Sequence, residues 1–191
     1  MVVFPFSGST DLKFFPGGTP FTVDWTGIPI SIVFVGLGTI SSLISIVIMF
    51  VAIGYRNPAG AVFKGSAELF TIIGLMAARL IAKRKSLDGK ASLALYLVFG
   101  ISARAIGMFF LNIPLLTIFY PLFYTTESAI TVSAVLVPWN ALQAAINIIG
   151  GMVLYQLIPV SIKIQAGLGR FRNDDVKYEE LSEDELKTEN E

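Results

Sequence analysis

The chain has 191 residues, 54% of them hydrophobic and only 15% charged. Soluble domains carry about 25% charged residues, so the composition points to an integral membrane protein. With no cysteine and no histidine, disulfides, thiol chemistry and His-dependent catalysis or metal binding are excluded.

Residues 1–26 are rich in Gly, Pro, Thr and Phe and hold no apolar run of spanning length. They read as a loop or lid lying over the membrane domain. Without a basic start, an unbroken apolar core or a small-residue cleavage site, they do not read as a signal peptide. The next apolar block, Ile28 to Ile53, is interrupted by Gly36, Gly38, Ser41 and Ser42. Hydropathy alone makes it one span. The glycines also permit two shorter helices, about 28–37 and 39–54, with a tight turn between them. Arg56-Asn57-Pro58 ends the block, and Pro58 suits the first turn of a new helix.

That third helix is expected over about 59–82, closing in Lys83-Arg84-Lys85. A fourth span is expected over about 91–115. An aromatic connection follows, with Phe119, Tyr120, Phe123 and Tyr124 between Thr117 and Ser128. The last apolar segment begins near Ala129, and its main helix is expected to start at Pro138 and run to about 158. Residues 27–160 thus form an all-α helical bundle of four spans, or of five if the first block is two helices, followed by a tail over 161–191. The charges divide accordingly: residues 1–169 hold 10 Lys+Arg and 5 Asp+Glu, whereas residues 170–191 hold 4 and 9. The acidic end reads as a solvated segment.

The basic cluster Arg79, Lys83, Arg84, Lys85 and Lys90 places its connection on the cytoplasmic side. The C-terminus is expected on that side too, and the Thr117–Ser128 connection on the outside.

The polar residues inside the spans carry the functional reading. Asn140, Gln143 and Asn147 stand at i, i+3 and i+7 on one helix face. Lipid cannot hydrogen-bond an amide, so they must meet protein, water or a bound polar molecule. Lys64 and Glu68 lie four residues apart, either as a mutual ion pair or with one of them meeting a ligand or another helix. Arg104, Met108 and Asn112 share a face at i, i+4 and i+8. Arg104 fits an interhelical knot with Glu68, and Asn112 fits a pocket nearer the outer end. Gly100, Ala103 and Gly107 mark close helix packing. Trp139 and Tyr155 read as interface anchors. No phosphate-binding loop, paired carboxylates or nucleophile–base set is apparent, so no enzyme is expected and active transport would need a partner with ATPase activity.

Taken in order, these residues resemble the substrate-binding S component of energy-coupling factor (ECF) vitamin transporters, closest to the riboflavin-type branch. The resemblance rests on Asp24-Trp25-Thr26-Gly27-Ile28-Pro29, on Arg104, Met108 and Asn112 followed by Pro121, and on Val137-Pro138-Trp139-Asn140-Ala141-Leu142-Gln143. It covers roughly residues 3–160. It implies a bundle of six helices holding a small vitamin near the outer side, with residues 1–26 as an external lid. Met1 falls near where the first of those helices would end, so five are expected here. It also implies an energising module of a transmembrane coupling subunit and two ABC ATPases. No cofactor or nucleic-acid partner is implied. The expected substrate-binding set is Asn112, Asn140, Gln143, Asn147, Glu68, Lys64, Phe14, Tyr120 and Tyr124, with Phe15 beside Phe14. Where the family carries a lysine this chain has Gln143, which alters one flavin contact.

Overall fold

A computed structural model describes residues 10–12, 21–86 and 89–168. Phe14 and Phe15, and the acidic stretch beyond residue 168, lie outside them. Two short strands, β1 (Thr10–Leu12) and β2 (Phe21–Val23), pair antiparallel with Thr10 opposite Val23. Among the described residues six helices follow: α1 (Gly27–Leu37), α2 (Thr39–Gly54), α3 (Pro58–Lys85), α4 (Gly89–Phe119), α5 (Thr126–Leu157) and α6 (Val160–Gln165). The chain is an all-α membrane helical bundle carrying one small hairpin.

The block from Ile28 to Ile53 is two helices, broken at Gly38, whose φ of 88° is left-handed and suits a residue without a Cβ. The Gly38 N–H still donates to the Val33 and Phe34 carbonyls, closing α1. At 11 residues α1 is about 16 Å long, roughly half the hydrocarbon thickness of a bilayer. Among the described residues, only α3, α4 and α5 are both long and apolar enough to cross a membrane.

Contacts between helices set their directions. Gly27 packs on Asn147 and Glu68, and Gly36 lies beside Tyr155, so α1 runs parallel to α5. Gly65 of α3 faces Phe50 and Gly54 faces Ala61, so α2 and α3 are antiparallel. Gly74 meets Gly100, and Gly107 meets Phe70, so α3 and α4 are antiparallel as well. The start of α1 therefore lies level with Glu68, deep in the bundle, rather than at its end.

Helix ends follow local chemistry. Asn57 caps α3 by accepting from the Gly60 N–H at 2.9 Å, and Pro58 takes the first turn. Lys83, Arg84 and Lys85 occupy the last turn, where cations complement the helix dipole. Asn57→Ala is expected to cost about 1 kcal/mol, read as a lower melting temperature of the detergent-purified protein.

Two helices extend past their expected limits. α4 continues through Pro114 to Phe119, with the Thr117 hydroxyl donating to the Pro114 carbonyl at 3.0 Å. α5 begins at Thr126 rather than Pro138, because Thr125 and Ser128 form a capping box; Pro138 lies inside the helix. Residues 161–168, expected in the tail, pack against the bundle. α6 puts the Lys163 ammonium 4.8 Å from the centroid of the Tyr155 ring. Leu168 packs beside Gly36. Tyr155 is consequently only 4% exposed, a buried residue rather than an interface anchor.

The burial pattern is the reverse of a water-soluble bundle. Ile40, Ile44, Val47, Ile48 and Val51 of α2 are exposed, while Glu68, Arg104, Asn112 and Asn147 are buried. Lipid solvates the former without cost and gives the latter nothing to bond. A smaller apolar core of Ile30, Phe34, Ile46, Ile72, Leu75 and Ile148 joins α1, α2, α3 and α5.

Candidate functional site

Glu68 is the hub of the buried polar residues. Its Oε1 accepts from Lys64 Nζ at 2.7 Å, Arg104 NH1 at 2.8 Å and Asn147 Nδ2 at 3.0 Å. Those donors come from α3, α4 and α5, so one carboxylate oxygen ties three helices together. Burying a carboxylate costs several kcal/mol, and two cations with charge-assisted hydrogen bonds offset that cost. Lys64 and Glu68 face each other because four residues make about one helical turn. The sequence left a mutual ion pair and an interhelical partner open as alternatives; both are present.

The amides extend the network. Gln143 Nε2 donates to Asn147 Oδ1 at 3.1 Å and also to the Asp24 carbonyl. Gln143 Oε1 accepts from the Asp24 N–H at 3.3 Å. The side-chain amide thus pairs with the Asp24 backbone as a neighbouring strand would. The Asp24 carboxylate completes the cluster, with one oxygen 3.1 Å from Lys64 Nζ and the other accepting from the Thr26 N–H at 2.8 Å. Burial raises the Asp24 carboxyl pKa, but Lys64 and the Thr26 hydrogen bonds outweigh it and hold the group below its ordinary value.

Asp24 and Glu68 together balance Lys64 and Arg104, so the cluster is electrically neutral. Asp24 is its most exposed member, at 29% of its side chain against 12% for Lys64 and 1% for Glu68. Sequence reasoning missed Asp24 as a site residue, although a signal was there. Lys64, Glu68 and Arg104 alone leave an uncompensated positive charge in the membrane, which calls for another carboxylate. Thr71, also unforeseen, lies 3.4 Å from Arg104 NH1.

The other expected residues lie elsewhere. Asn140 is half-buried and donates to the Leu136 carbonyl of its own helix at 3.1 Å. Asn112 is 2% exposed, and among the described residues its Oδ1 has no hydrogen-bond partner. The buried Arg104 Nε has none among them either. Arg104 and Asn147 both touch Glu68 and share its depth. At 1.5 Å per residue, Asn112 stands about 12 Å and Asn140 about 10 Å beyond them, toward the end marked by Asn57 and Thr125. Tyr120 and Tyr124 pack edge to face, with centroids 6.5 Å apart, at that same end. The expected face of Arg104, Met108 and Asn112 is buried throughout.

Small residues allow this approach of helices. A Cβ on Gly27 would overlap Asn147 and come 2.7 Å from Glu68 Oε2, so glycine lets α1 begin directly on the cluster. A Cβ on Gly100 would lie 2.5 Å from Ile148, and one on Gly107 2.5 Å from the Phe70 ring. Among the described residues no three His, Cys, Asp or Glu side chains gather to hold a metal ion. The donors and acceptors instead suit hydrogen bonding to a polar molecule or to one another. Comparison with protein-family models, with curated proteins and with solved structures finds no match to this chain.

Proposed function

We propose that this chain is the membrane-embedded substrate-binding subunit of an ECF-type vitamin uptake transporter, taking riboflavin or a related small vitamin. The observation that supports this reading is the buried Asn112 Oδ1, which has no hydrogen-bond partner among the described residues, on the face it shares with Arg104. A buried acceptor without a donor costs about 1–3 kcal/mol, so a ligand that supplies a donor gains from meeting it. Along their helices Asn112 and Asn140 stand at similar heights, on the same side of the cluster of Glu68, Arg104 and Asn147. Amides suit a neutral heterocycle because each offers both a donor and an acceptor. Tyr120 and Tyr124, at the same end, supply apolar surface for a ring.

In this reading the protein resides in the cell membrane with its C-terminus cytoplasmic, and it is not an enzyme. Its partner is an energising module of a coupling subunit and two ABC ATPases. Purified protein is expected to quench riboflavin fluorescence on titration without ATP. Asn140→Leu is expected to weaken binding while leaving membrane insertion intact. Failure to bind riboflavin or any other vitamin would overturn the proposal.

A second reading is supported by the closed bonding of Gln143, Asn147, Glu68, Arg104 and Lys64 across three helices. Such residues serve as glue in a structural or assembly protein. No small molecule would then co-purify, and polar-to-apolar changes would alter folding and partner recovery.

A further inference from the structure

One face of α3 changes from apolar to basic along its length. Leu69, Ile73, Met76, Leu80 and Lys83 follow one another at spacings of three and four residues, which keeps them on one side of the helix. The four apolar residues are 39%, 44%, 39% and 64% exposed, and Lys83 and Arg84 are exposed as well. At about 100° per residue Lys83 and Arg84 flank this stripe, whereas Lys85 lies on the opposite side. Among the described residues none of these three cations forms an ion pair. The dipole of α3 favours cations in its last turn, but it does not account for the exposed apolar stripe that leads to them. At its other end the stripe meets a groove of about 230 Å³ between α2 and α3, lined by Ile46, Val47, Phe50, Gly65, Ser66 and Leu69. The rise from Leu69 to Lys83 is about 21 Å. Half the thickness of a bilayer with its headgroups is about 20–22 Å.

We propose that this face of α3 binds one anionic phospholipid from the leaflet at the Lys85 end. The phosphate meets Lys83 and Arg84. An acyl chain runs over Leu80, Met76 and Ile73, and its end reaches the groove at Leu69. A phospholipid of this kind is anionic and then apolar over the same length on which the face is basic and then apolar. Basic residues beside a membrane helix attract anionic lipid, and an arginine adds paired donors for phosphate oxygens. The charge match selects an anionic lipid over a neutral one. Counting from the Gly65–Phe50 contact, α2 begins opposite about Met76, so it leaves Leu80 and the cations uncovered. The site lies on the lipid-facing surface, apart from the buried cluster around Glu68, and does not depend on the vitamin reading.

The test melts the full chain in nonionic detergent at constant ionic strength. The additives are phosphatidylglycerol, phosphatidylcholine with the same chains, short-chain phosphatidylglycerol and sodium phosphate. Phosphatidylglycerol is expected to raise the wild-type melting temperature about 4–8 °C above its value in phosphatidylcholine. Sodium phosphate should give no rise, because it has no chain. Short-chain phosphatidylglycerol should give less than half the rise, because its chains stop before the groove. Lys83→Gln with Arg84→Gln is expected to lose most of the rise. Lys85→Gln with Lys90→Gln removes the same charge and is expected to keep it. All four side chains are exposed, so both double variants should melt near wild type without added lipid. Equal shifts in phosphatidylglycerol and phosphatidylcholine would overturn the proposal, and that comparison decides on wild type alone if a variant does not fold. Equal loss in the two double variants would also overturn it, because a basic end would then attract anionic surfaces without a site. So would a full rise with sodium phosphate or with the short-chain lipid. A wild type that is dimeric without lipid and gains nothing from phosphatidylglycerol would put a second copy on this face instead.

Discussion

Glu68→Gln is expected to destabilise the bundle by about 3–5 kcal/mol, because removing one partner of a buried ion pair leaves the others uncompensated. The variant keeps the shape of the side chain but loses its charge. Lys64 and Arg104 would then face only the carboxylate of Asp24, which contacts Lys64. One amide oxygen would replace the carboxylate oxygen that now accepts from Lys64, Arg104 and Asn147. The measurement is the melting temperature and monodisperse yield of the detergent-purified variant. Replacing Glu68 and Arg104 together by Met restores neutrality, since the Asp24–Lys64 pair remains. That double variant is expected to recover most of the loss, because apolar replacement of a whole buried pair is often neutral. The double-mutant cycle should report a coupling of about 2–3 kcal/mol. A wild-type melting temperature for Glu68→Gln would mean that the hub does not hold the helices.

The second large effect is expected at the crossing of α3 and α4. A Cβ on Gly74 would overlap the Phe99 carbonyl oxygen and lie 2.8 Å from Gly100 Cα. These are backbone atoms and cannot rotate away as a side chain can. The two helices must separate, and that strains the adjoining contact of Gly100 with Leu75 and Ile148. Gly74→Ala is expected to cost about 1–3 kcal/mol and Gly74→Val more, read by thermal melting. Gly54→Ala is the control. Its Cβ would meet Ala61 Cβ at 3.6 Å, an ordinary contact, and its melting temperature should stay near wild type. Equal behaviour of the Gly74 and Gly54 variants would contradict the packing described.

Where each element was legible in the sequence depended on whether its cause was local. Pro58 after Asn57 announces the start of α3 through a cap that acts within three residues. Gly38 marks the break between α1 and α2 because only its own backbone has to turn. The face shared by Arg104, Met108 and Asn112 follows from helical spacing, and all three are buried. The start of α5 was misread because Pro138 suggests a beginning. The capping box at Thr125 and Ser128 fixes that start twelve residues earlier, and a proline is tolerated inside a membrane helix where its neighbours satisfy the freed backbone. Tyr155 resembles an interface anchor by its place near the end of α5. Only the return of α6, with Lys163 over its ring, explains its burial.

The site divides in the same way. The Lys64–Glu68 pair and the Gln143–Asn147 contact come from spacing along one helix. The Asp24 contacts to Lys64 and Gln143 join residues far apart in sequence, and charge balance was the available clue to the first. Asn140 shares a helical face with Gln143 and Asn147 by spacing. It bonds instead to Leu136, one turn earlier, near the proline-interrupted part of α5. Asn112 is the residue whose spacing and burial agree while its acceptor stays unmatched, and for that reason the binding proposal turns on it.

The most direct measurement of that proposal is thermal melting of the intact protein with a panel of vitamins that includes riboflavin, repeated on Asn112→Leu. A ligand that binds only the folded form stabilises it by about 2.7 kcal/mol at a hundredfold excess over its Kd. A binding subunit should melt several degrees higher with one vitamin, and Asn112→Leu should lose most of that gain while folding as well as wild type. If no vitamin moves the wild-type melting temperature, or if Asn112→Leu retains the full gain, the assignment of Asn112 to a vitamin site is contradicted.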